Sequence, residues 1–304
     1  MSPRPTLTRR RALLVALCLP VAAACSPGYS EEPDVLVPLL ERARADAAAA
    51  EALGTEAAKQ VAQARAAQAT ALQAEVDRLN RPRQEGQQAP PGRVPDVTAL
   101  AQRLVEARQQ AEQLVATLPR HRAGLVGSVA AGSAALLQLF PEQRGKLDSG
   151  ELDAPATGAL EPDTVQAVQG ALAAEHGAVW VYGLVTAFLP GDYRTGMTEG
   201  AAVHRDRRDA CERVLAAAGA TPQPAEPAYL PPKPVTDAAS AMALVATAES
   251  DAAAAWRGVL ERTDDAQLRG LALTALVGSA TRGTRWREAA GEKPAAPALP
   301  GAPA

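Results

Sequence analysis

Aromatic side chains are scarce in this sequence. Phe, Trp and Tyr make up 3% of 304 residues, although 47% are hydrophobic. Alanine supplies the difference, and Ala is the best helix former but a poor core filler. Long helices packed at close range are the natural outcome. Runs of β-branched residues are few and no alternating strand pattern appears, so the chain reads as all-α. Three histidines leave hydrolytic or metal chemistry little material. No Ser-His-Asp spacing, phosphate loop, zinc cysteine set or nucleic-acid patch is present. The net charge of −3 provides no strong field for nucleic acid or a membrane surface. The one apolar run near the N-terminus, about 8–13 residues, falls short of the roughly 20 needed to span a bilayer.

That run belongs to a segment with the pattern of an export signal. Arg4, Arg9, Arg10 and Arg11 form a charged region and Ala12 to Leu19 an apolar one, and Pro20 leads to Val21-Ala22-Ala23-Ala24-Cys25. Ala22-Ala23-Ala24 fits an ordinary A-x-A cut. The same residues before Cys25 resemble a bacterial lipobox, in which the cysteine is lipidated after cleavage. Thr8-Arg9-Arg10 before Arg11-Ala12-Leu13 resembles a twin-arginine signal, and a charged Sec leader reads equally well. The expected division is a signal peptide at 1–24 and lipidated Cys25 with a tether at 25–34. The location is then the outer face of the cytoplasmic membrane. Cys18 would leave with the leader and Cys25 would carry lipid, so Cys211 would have no partner for an intramolecular disulfide.

Residues 35–145 read as a long helical hairpin with coiled-coil-like packing. One helix is expected from Val35 to about Leu79, with small apolar residues at steps of three and four and Gln68 as the polar interruption. A breaker segment, Arg81 to Pro95, separates it from a second helix over Val97 to Leu118. Pro119 interrupts that helix, and Gly124 to Phe140 continues the helical layer. His121, between two arginines near Pro119, reads as a solvated loop histidine. Gly145 to Gly158 is a turn-rich linker.

Residues 159–290 carry four helical stretches, near Glu161–Leu189, Tyr193–Ala218, Asp237–Thr263 and Ala266–Ala290. Short turns join the first pair and the last pair, so each pair is antiparallel. Between the pairs lies TPQPAEPAYLPPKPV, residues 221–235, whose six prolines favour extended geometry. About 16 residues at ~3.1 Å each reach ~50 Å, more than the ~37 Å of a helix of ~25 residues. The topology is therefore a four-helix bundle with one long crossover. Residues 291–304, rich in Pro and Ala, read as a disordered tail.

Each helix of this bundle breaks its apolar seam near mid-length. On the first, Val165, Val168, Leu172, Glu175, Val179, Tyr182, Thr186 and Leu189 share a face, with a carboxylate at its centre. The others contribute His204, Arg208, Glu249 and Arg282, so the expected buried polar layer is Glu175, His204, Arg208, Glu249 and Arg282. Cys211, on the same seam, reads as a small core residue. His176 points about 100° away from Glu175 and lies off the seam.

The stretches AAEHGAVWVYG and HRDRRDACERVLAAAGATPQPAEPAY, with Trp256 and the Arg285-Trp286 pair, resemble an uncharacterised ferritin-like domain family of actinobacterial lipoproteins. The resemblance covers under half of the chain. It implies a fold, with no activity to carry over. A ferritin-like di-iron site takes one Glu from each of two helices and a Glu-x-x-His from each of the others. Glu175 and Glu249 stand at the single-Glu places and His204 at one histidine place, but Ala201, Ser279 and Arg282 occupy the rest. Two readings follow. In the first the layer is salt-bridged, no cofactor is needed, and the protein is a non-catalytic interaction or scaffold protein. Its partners would be the membrane, through Cys25, and an envelope protein, without nucleic acid; a homo-oligomer is compatible with it. In the second, a metal or redox protein, Glu175, His204 and Glu249 hold iron or manganese, with His176 as a further candidate.

Overall fold

The computed structural model describes residues 33–78, 93–144 and 158–303. The leader, Cys25, most of the breaker segment and most of the 145–158 linker lie outside the described residues. Among those described there are eight α-helices and no strand. None of the helices is long and apolar enough to cross a membrane.

The first half departs from the expected hairpin. Helix α1 (Val37–Leu53) ends where Gly54 adopts a left-handed φ of 66°. Glycine takes that conformation without the Cβ clash other residues meet. Thr55 then opens α2 (Glu56–Arg78), its Oγ1 accepting the Ala58 N–H at 3.2 Å. The chain reverses, and α2 packs back along α1. The single helix expected over 35–79 is therefore two. Pro119 likewise separates α3 (Val97–Val115) from α4 (Arg120–Leu137), and these also fold back on each other. Residues 35–145 thus contain a four-helix unit in place of a two-helix hairpin.

This unit has a defined connectivity. Arg42 of α1 donates to Gln110 of α3, and Arg103 of α3 donates to Asp46 of α1, so the two run antiparallel. Helices α2 and α3 consequently run parallel. At mid-height the unit has its own polar layer. Fully buried Arg65 donates to Asp46 at 2.8 Å, to Gln68 at 2.5 Å and to Ser133 at 3.5 Å.

The second half repeats that plan with α5 (Pro162–Val185), α6 (Arg194–Ala217), α7 (Ala238–Leu260) and α8 (Ala266–Ala289). Each boundary falls within a few residues of the sequence reading. Asp237 caps α7 in a reciprocal capping box with Ser240. The Pro-rich crossover is pinned to α5, where Tyr229 packs on Trp180 at 5.6 Å and Gln169 bonds backbone groups of Thr221 and Gln223.

Helix α4 joins the two units. From Arg122 to Leu137 every residue but Leu125 is buried, as expected of a helix that is apolar all round. It contacts α2 and α3 on one side and α7 and α8 on the other. Its glycines set the approach: a Cβ on Gly127 would lie 2.5 Å from Cδ1 of Leu260.

The C-terminal segment also departs from expectation. Residues 291–303 form a strap across both units, not a disordered tail. Ala295 and Ala296 are buried. Gln68 donates to the Ala298 carbonyl at 2.7 Å and Ser128 to the Pro300 carbonyl at 2.7 Å. A Cβ on Gly132 would collide with the Ala298 carbonyl. Buried side-chain donors meet the carbonyls of a Pro-rich chain that forms no helix, so the segment is held without secondary structure.

Candidate functional site

The four C-terminal helices bring Glu175, His204, Arg207, Glu249 and Arg282 together at mid-bundle. Glu175, His204, Arg207 and Glu249 are fully buried. The imidazole of His204 lies between the two carboxylates, its Nδ1 2.5 Å from Oε2 of Glu175 and its Nε2 3.1 Å from Oε1 of Glu249. Ionised carboxylates accept and do not donate, so this placement favours hydrogen on both ring nitrogens, the imidazolium form of His204. Burial alone would lower its pKa, but Glu249 and Glu175 together raise it above the ordinary value.

Each carboxylate has further donors. The Trp256 indole N–H donates to Oε1 of Glu175 at 2.5 Å. Glu249 accepts from Nε of Arg282 at 2.7 Å and from the Tyr182 hydroxyl at 2.7 Å. Trp286 in turn donates to the Tyr182 oxygen at 3.1 Å. Burial works against ionisation of Glu249, yet Arg282 and His204 outweigh it and hold the carboxyl well below its ordinary range. Burial, reinforced by Glu249, pushes the Tyr182 phenol well up, so it stays protonated as a donor.

One residue of the expected layer is elsewhere. Arg208 lies part-exposed and pairs with its neighbour Asp209 at 2.7 Å. Its place is taken by Arg207, which donates to Ser279 at 2.8 Å and lies 3.9 Å from Glu175. The buried stripe of α6 runs Met197, Gly200, His204, Arg207, Cys211. Gly200 shifts this stripe from the expected line through Ala201, because the Tyr182 ring sits where a side chain on residue 200 would be. A glycine in an apolar seam looks like a gap, so Arg207 carried little signal in the sequence. Trp256 and Tyr182 were on the right seams, but their hydrogen bonds depend on how α5 and α7 pass each other. On α5, Thr186 is exposed, where the seam had it facing inward.

Cys211 is completely buried one turn from Arg207. Burial, with Glu175, pushes its thiol well above the ordinary value, against a smaller opposing effect of Arg207. His176 is part-buried outside the layer. His121 is exposed in the first turn of α4.

Among the described residues, no three His, Cys, Asp or Glu side chains form a group able to hold a metal ion. In the layer itself the imidazole separates the two carboxylates, and its nitrogens face them. Arg282 and Arg207 bring cations to the same level. A dication would need His204 deprotonated and turned, and the guanidiniums would repel it. The residues present do not fit a dimetal centre. They form a hydrogen-bond network that draws on all four helices.

Residues 167–304 match the family described as a domain of unknown function (DUF4439). A solved structure, that of the conserved hypothetical protein rv2844 from Mycobacterium tuberculosis, is 37% identical, with 42% of this chain and 98% of that chain covered and a TM-score of 0.41. The chain has no match among curated proteins. The C-terminal bundle, whose helices supply every residue of the layer, belongs to the DUF4439 family.

Proposed function

We propose that the protein is an envelope-anchored, ferritin-like lipoprotein with a non-catalytic scaffolding role. Lipid on Cys25 would hold it at the outer face of the cytoplasmic membrane, after export by the twin-arginine or Sec route, where it engages an envelope protein. The observation that carries this reading is the His204 imidazolium bridging Glu175 and Glu249. The side chains that would face a metal in a ferritin-like frame are already hydrogen-bonded to one another and to Arg282. Such a layer fixes helix register rather than adding much stability. The strap, and α4 between the two units, also favour a rigid body that presents surface.

Two measurements test the proposal. Cys25→Ser should move the protein from the membrane fraction to the soluble fraction and abolish labelling by an alkyne fatty acid; retention of both would overturn the anchor. The mature chain, purified without chelator and titrated anaerobically with ferrous iron, should bind no stoichiometric metal. The competing reading, a metal or redox protein, draws on the meeting of Glu175, His204 and Glu249 in one layer. It would gain if near-stoichiometric iron or manganese were found and then lost in Glu175→Ala.

A further inference from the structure

A cavity of about 190 Å³ opens between the start of α6, with the turn that precedes it, and the C-terminal half of α8. Tyr193 and Trp286 form its apolar wall, their rings stacked at 5.7 Å. Gly196 of α6 leaves that wall uncovered, because even a Cβ there would stop 3.9 Å from Cζ2 of Trp286. Two guanidiniums, Arg282 and Arg285, and two carboxylates, Asp192 and Glu199, complete the lining.

These charged groups are only partly engaged with one another. Arg282 commits Nε and Nη2 to Glu249, and its side chain remains 14% exposed. Arg285 donates Nε to Gln138, and its two Nη groups make no hydrogen bond among the described residues. Asp192 and Glu199 make no ion pair there either. Burial, then Arg144 and Arg282, lower the pKa of Arg285, and Glu199 opposes them. Glu199 is therefore close enough for Arg285 to feel its charge, yet the two do not pair.

We propose that this cavity binds a free α-amino acid with an apolar side chain. Its carboxylate takes the Nη fork of Arg285, with Arg282 beside it. Its ammonium group lies toward Glu199 and Asp192, and its side chain rests on the wall of Tyr193 and Trp286. The charges decide the class of ligand. Arg282 is already offset by Glu249, so a simple anion would face two carboxylates with Arg285 alone to hold it. A simple cation would face two guanidiniums. A molecule with both charges on one carbon answers each sign at once. The size agrees, since sites for drug-sized ligands begin at roughly 300 Å³ and this cavity is smaller.

Thermal unfolding of the mature chain with free leucine, isoleucine, valine, methionine or phenylalanine, each in L and D form, tests the proposal. At least one should raise the midpoint saturably, and calorimetric titration with it should give one site per chain. The matching acid without the amino group, and the matching amine without the carboxylate, should have no such effect. Gly196→Leu should lose the response and keep the fold, because it fills the cavity while removing a glycine from an exposed helical position. Arg285→Met should lose the response as well. No saturable response to any of these amino acids overturns the proposal. A response that the acid or the amine reproduces overturns it too, as does one that survives in Gly196→Leu. Should Gly196→Leu fail to fold, Arg285→Met, a change at an exposed residue, decides the matter.

Discussion

The ring of Tyr182 rests directly on Gly200, so that a Cβ on residue 200 would collide with the ring carbons and the hydroxyl. This contact sets the height at which α5 and α6 meet. The ring cannot readily turn aside, because its hydroxyl donates to Glu249 and accepts from Trp286. Gly200→Ala should therefore destabilise the protein by about 1–3 kcal/mol, as overpacking of a filled core does. Urea unfolding measures it. A neutral or stabilising outcome would show that the ring has room to move.

Glu249 and Arg282 should be strongly coupled. Arg282→Met removes one of the two cations that face a buried carboxylate and should cost about 3–5 kcal/mol. Glu249→Gln with Arg282→Met should cost less than the sum of the single changes. A double-mutant cycle by urea denaturation checks this, and additive effects would rule out a specific pair.

Stability should depend on pH in two opposite ways. The folded pKa of His204 is raised above the unfolded value of about 6.5, so its contribution is full below that pH and fades as pH rises through the folded value. The folded pKa of Glu249 is depressed below 4.5, so its contribution is present above that pH and fades as pH falls through the folded value. The urea midpoint should thus be highest between about pH 4.5 and 6.5 and decline on the alkaline side. In His204→Gln the alkaline decline should flatten. An unchanged slope would assign it to another group.

Cys211 should be inert in the native protein. Its thiol is buried and pushed well above its ordinary pKa. An aromatic disulfide reagent should label it only as fast as the bundle opens, with labelling in step with unfolding in urea. Rapid labelling in buffer would mean that α6 exposes this face.

Deleting residues 292–304 should destabilise the N-terminal unit as well as the C-terminal one. The strap accepts hydrogen bonds from Gln68 of α2 and Ser128 of α4, and the deletion strands both donors. Hydrogen exchange read separately for α2 and α7 distinguishes this from local fraying. Protection in α2 unaltered by the deletion would make the strap a local appendage.

Much of the C-terminal bundle was legible in the chain. Glu175, His204, Glu249 and Arg282 each interrupt an apolar seam near mid-helix, and helical periodicity alone brings them to one level. Arg207 was not legible. Positions 207 and 208 both fall near the stripe of α6, and the choice between them depends on where Tyr182 lies against Gly200, a contact between helices. In the first half, Gly54 falls at the spacing of a small residue in a close-packed seam. Its left-handed turn became decisive only because α2 has α1 to pack against.

The sequence by itself determined what is local: helical content from alanine, the break at the Pro-rich crossover, and the length relation that makes that crossover span the bundle. Only the tertiary structure decided what depends on partners distant in the chain. The Pro- and Ala-rich C-terminus has no local reason to be ordered, and it is ordered because Gln68 and Ser128 offer buried donors to its carbonyls. Likewise, mid-seam charges can become ligands or mutual partners. The imidazole of His204, set between the two carboxylates with Arg282 beyond Glu249, makes them partners.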